Sequence, residues 1–159
     1  MISIRLKVIG IDPGITATGY GIVEDERCVC TGTIRSKKNN IHEKFIEICT
    51  KIKELIKENK PDFAALEKVF YHKNIQSLIR SSELRGAIII TLLQEKIKIV
   101  EYTPTQIKLT TTGNGRASKA QVRYFVERVF MFEKKKMSNH ATDALSIAYT
   151  ALRRMSRKL

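Results

Sequence analysis

The sequence predicts an α/β fold: a meander of three strands, then helices alternating with two more strands, in a single domain over residues 1–159. Three observations lead there. Val8-Ile9-Gly10-Ile11 is a short, β-branched apolar run stopped by Asp12-Pro13-Gly14, the pattern of a buried strand that delivers a carboxylate at its end. Phe63-Ala64-Ala65-Leu66 is a second buried run, and it too ends in an acid, Glu67. The segments between and after them carry apolar residues at helical spacing. The length suffices to bury a core without disulfides or a structural metal, and no repeat, low-complexity tract or linker divides the chain.

Taken in order, Ile4 to Ile11 is the first strand, Gly19 to Val23 the second and Arg27 to Ile34 the third, with connections short enough for an antiparallel meander. Asn40, with Glu43 three positions on, opens a helix whose stripe is Ile41, Phe45, Ile48, Ile52, Leu55 and Ile56, and Lys60-Pro61 ends it. After the Phe63–Leu66 strand, Asn74 to Gln94 reads as a long helix interrupted only by Gly86, and Ile97 to Tyr102 as the fifth strand. Thr103-Pro104 starts a short helix, with proline in the first turn where a missing N–H costs nothing, and Gly113-Asn114-Gly115 breaks the chain. Ser118 and Gln121 form a capping-box pair before a helix with Val122, Phe125, Val126, Val129 and Phe130 on its core face. The last helix begins near Ser138-Asn139, and its narrow stripe of Ala141, Ala144, Leu145, Ala148, Ala151 and Leu152 suits close packing on a sheet.

Charge points to a partner. Lys and Arg total 29 against 16 Asp and Glu, a formal +13, more than solubility needs and of the sign that attracts phosphate backbones. Charge alone is equally compatible with a merely basic surface or a ribosome-associated protein. Cys28, Cys30 and Cys49 are odd in number and lack zinc-site spacing, as for reduced thiols of a cytoplasmic protein. The longest apolar stretch, Ala87 to Leu93, is too short to span a bilayer, so no membrane role is expected.

The acids stand out against this basic background. Asp12 either caps its own Asp-Pro-Gly turn or is held for a cation, since burying an uncompensated carboxylate is costly. His140 and Asp143, three apart, project from one side of the first turn of the last helix, either as exposed residues favoured by the helix dipole or as a ligand pair. Two strand-end carboxylates converging with a carboxylate and an imidazole at a helix start could hold two divalent ions for phosphodiester hydrolysis.

At this point a family resemblance enters. Gly10-Ile11-Asp12-Pro13-Gly14 with Thr18-Gly19-Tyr20-Gly21, Glu67-Lys68-Val69-Phe70, the Gly113-x-Gly115 loop followed by Lys119-x-x-Val122, and His140-Ala141-Thr142-Asp143-Ala144-Leu145 resemble the RuvC-type Holliday junction resolvases. The likeness runs over nearly the whole chain. It implies an RNase H-like fold, a mixed five-stranded sheet flanked by helices, and a homodimeric, Mg2+-dependent endonuclease that nicks four-way DNA junctions symmetrically in recombination and repair. Asp12, Glu67, His140 and Asp143 match the family's metal-binding positions. Two ions are expected per active site, and an imidazole at position 140 tolerates Mn2+ better than Mg2+. Phe70 matches an aromatic that stacks on a base near the junction centre, with Tyr71 beside it. Lys108 and Lys119 match basic positions expected on phosphates. Lys73, Arg80, Arg85, Arg116 and Arg123 either extend that DNA surface or form a plain solvated helix face.

Two-fold junction symmetry favours a C2 dimer. The helix from Asn74 to Gln94, with Ile75, Leu78, Ile79, Leu84 and the Ala87 to Ile90 run, has more apolar surface than one sheet face covers, which places Ile79, Gly86 and Ile90 at the interface. A branch-migration motor is a candidate partner. Two other classes compete: a non-catalytic nucleic-acid binder on the same fold, and a phosphotransferase, because Asp12-x-Gly14-x-Thr16 also looks like the phosphate loop of sugar kinases and actin-like ATPases. Those folds need two such domains, and this chain has one.

Overall fold

The computed structural model describes residues 5–25, 27–69, 74–131 and 137–156. Five strands, β1 (Lys7–Asp12), β2 (Thr18–Glu24), β3 (Arg27–Ile34), β4 (Phe63–Glu67) and β5 (Lys98–Tyr102), form one sheet in the order β3-β2-β1-β4-β5. The meander β1-β2-β3 is antiparallel, while β4 runs parallel to β1 and β5 parallel to β4. The strand that ends in Asp12 is therefore central. β1 starts at Lys7 and takes in Asp12; Ile4, expected to begin it, lies outside the described residues.

Helices α1 (Ile41–Asn59) and α2 (Ile75–Gln94) cover one face, where Ile48, Ile52, Ile56, Leu84, Ile88 and Leu92 pack on Ile9, Ile11, Ala64 and Leu66. Helix α5 (Asn139–Ser156) lies on the other, backed by α3 (Pro104–Thr112) and α4 (Lys119–Val129). Each fully buried Ile or Leu contributes about 1.5–3 kcal/mol. The capping residues set the helix starts. Asn40 accepts from the amides of His42 and Glu43, Asn74 from that of Ser77, and Thr103–Gln106 and Ser118–Gln121 form reciprocal capping boxes. Lys60 closes α1 in the left-handed region at φ 49°, with Pro61 behind it.

The period of two along the strands decides what faces what. Val8 packs on the α5 side and Ile9 and Ile11 on the α1–α2 side, so Gly10 and Asp12 share the α5 face; by the same alternation Glu67 follows Phe63 and Ala65 onto it. Helix α5 sits unusually close to this surface. A Cβ at Gly10 would lie 2.1 Å from the Ala144 carbonyl oxygen, and one at Gly19 would lie 1.9 Å from that of His140. No side chain fits at either position.

Two expectations change. The stripe on α5 is not narrow: Thr142, Ser146, Ile147, Tyr149 and Thr150 are buried with the alanines, because α3 and α4 cover the side turned from the sheet. On α2, Leu84 and Ile88 belong to the chain's own core, so less of the helix is surplus apolar surface than its composition suggests. Ile75, Ile79, Ile90 and Leu93 are about half exposed or more, and a Cβ at Gly86 would meet nothing within 4 Å. Among the described residues no helix is long and apolar enough to cross a membrane.

Candidate active site

Asp12 is the last residue of β1, and Glu67 the last of its parallel neighbour β4, one step beyond the paired Ile11 and Leu66. Sheet geometry thus sets two carboxylates side by side on the face that α5 covers. The turn after Asp12 is tied down by Thr18, fully buried, whose hydroxyl donates to the Gly14 carbonyl at 2.9 Å and accepts from the Gly14 amide at 3.4 Å. The first turns of α5 bring His140 and Asp143 to the same place. His140 Nδ1 stands 3.0 Å from Asp12 Oδ2, and Lys119 Nζ stands 3.8 Å from Asp143 Oδ2.

Asp12, Glu67 and Asp143 line one cavity of about 800 Å³, with Lys108 and Lys119 also in its wall; His140 joins the site through Asp12. All three carboxyl groups have pKa values above the ordinary range. Burial pushes Glu67 up to about 6, with the negative charges of Asp12 and Asp143 adding to the rise and Lys119 and Lys108 opposing it. Burial, then Asp12, raises Asp143; burial raises Asp12 against the pull of its hydrogen bond from His140. These acids are desolvated and repel one another.

Among the described residues no three acid, imidazole or thiol side chains stand close enough to form a ready ligand cage. The rise in pKa comes first from burial and then from the neighbouring negative charges, so a cation bound among these acids would favour their ionised forms. The donor set still suits a hard divalent ion, since three carboxylates offer oxygen ligands and His140 one nitrogen.

The basic residues separate into groups. Lys108 is half buried in the cavity wall, Lys119 is nearly fully exposed at its mouth, and Arg116 is exposed on the loop before α4. Arg123 turns inward, donating to Glu127 Oε1 at 2.7 Å, Asn139 Oδ1 at 2.6 Å and the Met137 carbonyl at 2.8 Å, so its donors brace the start of α5. Arg80 pairs with Glu83 on the surface. Arg85 is not on a solvated face: its side chain is 15% exposed, paired with Glu101 and set in the wall of the cavity, where its position on α2 points it under the end of β4. Phe70, Tyr71 and Lys73 lie outside the described residues. Thr18 is a neighbour of the site to which the sequence assigns no role, although it stands within a quoted motif. Arg85 is expected on a DNA surface or a solvated helix face, and nothing local to it signals its burial.

Comparison with known proteins decides the family, because the family model described as "Crossover junction endodeoxyribonuclease RuvC" matches residues 8–151. The chain belongs to the RuvC family. A crossover junction endodeoxyribonuclease RuvC of Aliarcobacter butzleri is 37% identical over 154 residues, covering 94% of this chain and all of the relative. That of Petrotoga mobilis is 37% identical over 149 residues, 91% of each chain. Among solved structures, T. thermophilus RuvC in complex with Holliday junction substrate superposes with a TM-score of 0.86 at 26% identity, covering 95% of this chain and 96% of that one. The RNase H-like fold implied by the motifs is the fold observed, with its mixed sheet and flanking helices.

Proposed function

We propose that the chain is a divalent-metal-dependent endonuclease that resolves four-way DNA junctions by phosphodiester hydrolysis. The observation that carries the reading is the convergence of Asp12, Glu67 and Asp143, all desolvated, in one cavity walled by Lys108 and Lys119 on a chain of formal charge +13. A basic protein that gathers three half-buried acids in one cavity holds them for a cation rather than for stability.

Asp12, Glu67 and Asp143 would supply oxygen ligands, with His140 contributing either a direct ligand or the orientation of Asp12. Bound there, two Mg2+ ions, or Mn2+ in their place, would activate water and stabilise the leaving oxygen. With Asp12 ionised, the 3.0 Å contact requires a proton on His140 Nδ1, and in the neutral imidazole Nε2 would then offer its lone pair to a cation or to a proton from water. Lys108 and Lys119 neutralise the phosphates flanking the scissile bond, and Arg116 extends that contact. Phe70, with Tyr71 and Lys73 alongside, stacks on a base exposed as the junction opens, an interaction worth about 1–3 kcal/mol per base.

Two identical sites related by a C2 axis would cut opposing strands, so the working unit is a homodimer joined through the α2 face of Ile79, Gly86 and Ile90. Such an enzyme acts in the cytoplasm, where a branch-migration motor can present the junction. The test is a labelled synthetic four-way junction beside a matched linear duplex, each with Mg2+, Mn2+ or chelator. Paired nicks on the junction alone, only with metal, are expected. Tight junction binding without nicking in either metal would leave a non-catalytic binder on this fold.

A further inference from the structure

Arg85 is an expensive residue to keep where it is. Its side chain is largely buried in the wall of the active-site cavity, and its Nε–H is enclosed with no hydrogen-bond partner among the described residues. A buried cation with an unmet donor is a poor stabiliser; an apolar side chain of similar volume would serve the core better. What Arg85 does make is specific. Nη2 donates to the Glu101 carboxylate on β5 and, at 3.4 Å, to the backbone carbonyl of Glu67 at the end of β4. One side chain of α2 therefore ties together the two strand ends at the cavity.

That tie acts on the carboxylate with most reason to leave. Glu67 is desolvated and repelled by both Asp12 and Asp143, and its strand ends immediately after it, with the Lys68 amide still bonded to the Tyr102 carbonyl. An unanchored strand end could relieve the repulsion by turning Glu67 out of the cavity. We infer that Arg85 is a positioning residue that clamps the end of β4 so that the Glu67 carboxylate stays aimed at the cation site, and that it contacts no DNA. The inference rests on Glu67 being part of that site.

Arg85→Met tests it, with Arg85→Lys and Glu67→Gln alongside. Outer partners that orient a metal ligand typically change affinity or activity by about 10–100-fold. Arg85→Met should weaken Mn2+ binding measured by calorimetry without DNA, and lower kcat for junction nicking, each within that range, while junction affinity in chelator stays within about two-fold. Arg85→Lys, which keeps the charge but not the fork, should fall between. In the Glu67→Gln background, Arg85→Met should cause no further loss of Mn2+ affinity. Wild-type Mn2+ affinity in Arg85→Met overturns the inference, and so does a loss of junction affinity equal to the loss of nicking, which would make Arg85 a phosphate contact. If Arg85→Met does not fold, wild-type Mn2+ affinity in Arg85→Lys overturns it instead. The two readings fail separately: Glu67→Gln with wild-type nicking removes Glu67 from the site, whereas an inactive Glu67→Gln beside a wild-type-like Arg85→Met refutes the clamp alone.

Discussion

Replacing Glu67 with Gln should make the metal-free protein more stable while abolishing its activity, and the size of the gain follows from the site. Burial and the neighbouring Asp12 and Asp143 raise the Glu67 pKa from 4.5 to about 6. Between those values the folded state holds a proton that the unfolded state has lost, so stability falls as pH rises through the window and the full penalty is present above about 6. The displacement corresponds to about 2 kcal/mol at 1.36 kcal/mol per pH unit. Glu67 retains partial solvent access, which screens the effect to about 1 kcal/mol. Gln keeps the shape and carries no charge. In chelator at pH 8, Glu67→Gln should therefore gain about 1 kcal/mol over wild type in urea unfolding, or about 2–4 °C in melting temperature, and the gain should vanish at pH 4.5. Added Mg2+ should reverse the order, because only the wild type binds it well, and junction nicking by the variant should be lost while junction affinity is kept or improved. A variant no more stable than wild type at pH 8, or equally stabilised at pH 4.5, would refute the electrostatic account.

Three further outcomes are expected. Gly19→Ala places a methyl 1.9 Å from the His140 carbonyl oxygen and must push the start of α5 off the sheet, so it should cost roughly 1–3 kcal/mol in denaturant unfolding and reduce nicking beyond what the lost folded fraction explains; full activity would show that His140 and Asp143 tolerate displacement. His140→Asp adds a hard oxygen donor and should raise the Mg2+ to Mn2+ activity ratio, and an unchanged ratio would argue against His140 as a ligand. A Cβ at Gly86 meets nothing within 4 Å among the described residues, and Gly86→Leu removes a helix-weakening glycine, so the monomer should hold its stability or gain up to about 1 kcal/mol, while sedimentation shows a weakened dimer; an unaffected dimer would place the interface elsewhere.

Much of this molecule could be read from local chemistry. The asparagine at 40 and 74, Thr103 with Gln106 and Ser118 with Gln121 start helices where the sequence indicates, because capping is settled within four residues. Asp12 and Glu67 were legible as strand-end acids for the same kind of reason: a short apolar run followed by a break is a local pattern, and a period of two assigns each acid a face once one neighbour is placed. Surplus apolar surface on α2 was legible only in part, since composition counts Leu84 and Ile88 without saying that α2 turns them inward.

What remained hidden depends on residues far apart in the chain. His140 and Asp12 are 128 positions apart, and nothing within either motif states that they touch; the contact exists because Gly10 and Gly19 lack side chains and let α5 lie against the sheet. Arg85, Arg80 and Arg123 are alike in sequence as basic residues on helices, yet one is buried under Glu67, one pairs on the surface and one braces α5. By itself the sequence determined the elements, their ends and the acids they carry, because those follow from hydrogen bonding and periodicity along a few residues. Only the tertiary structure decided how far those acids are desolvated and which arginine stands behind them, because burial and the interaction of charges at short range depend on packing between elements, which no single stretch of chain contains.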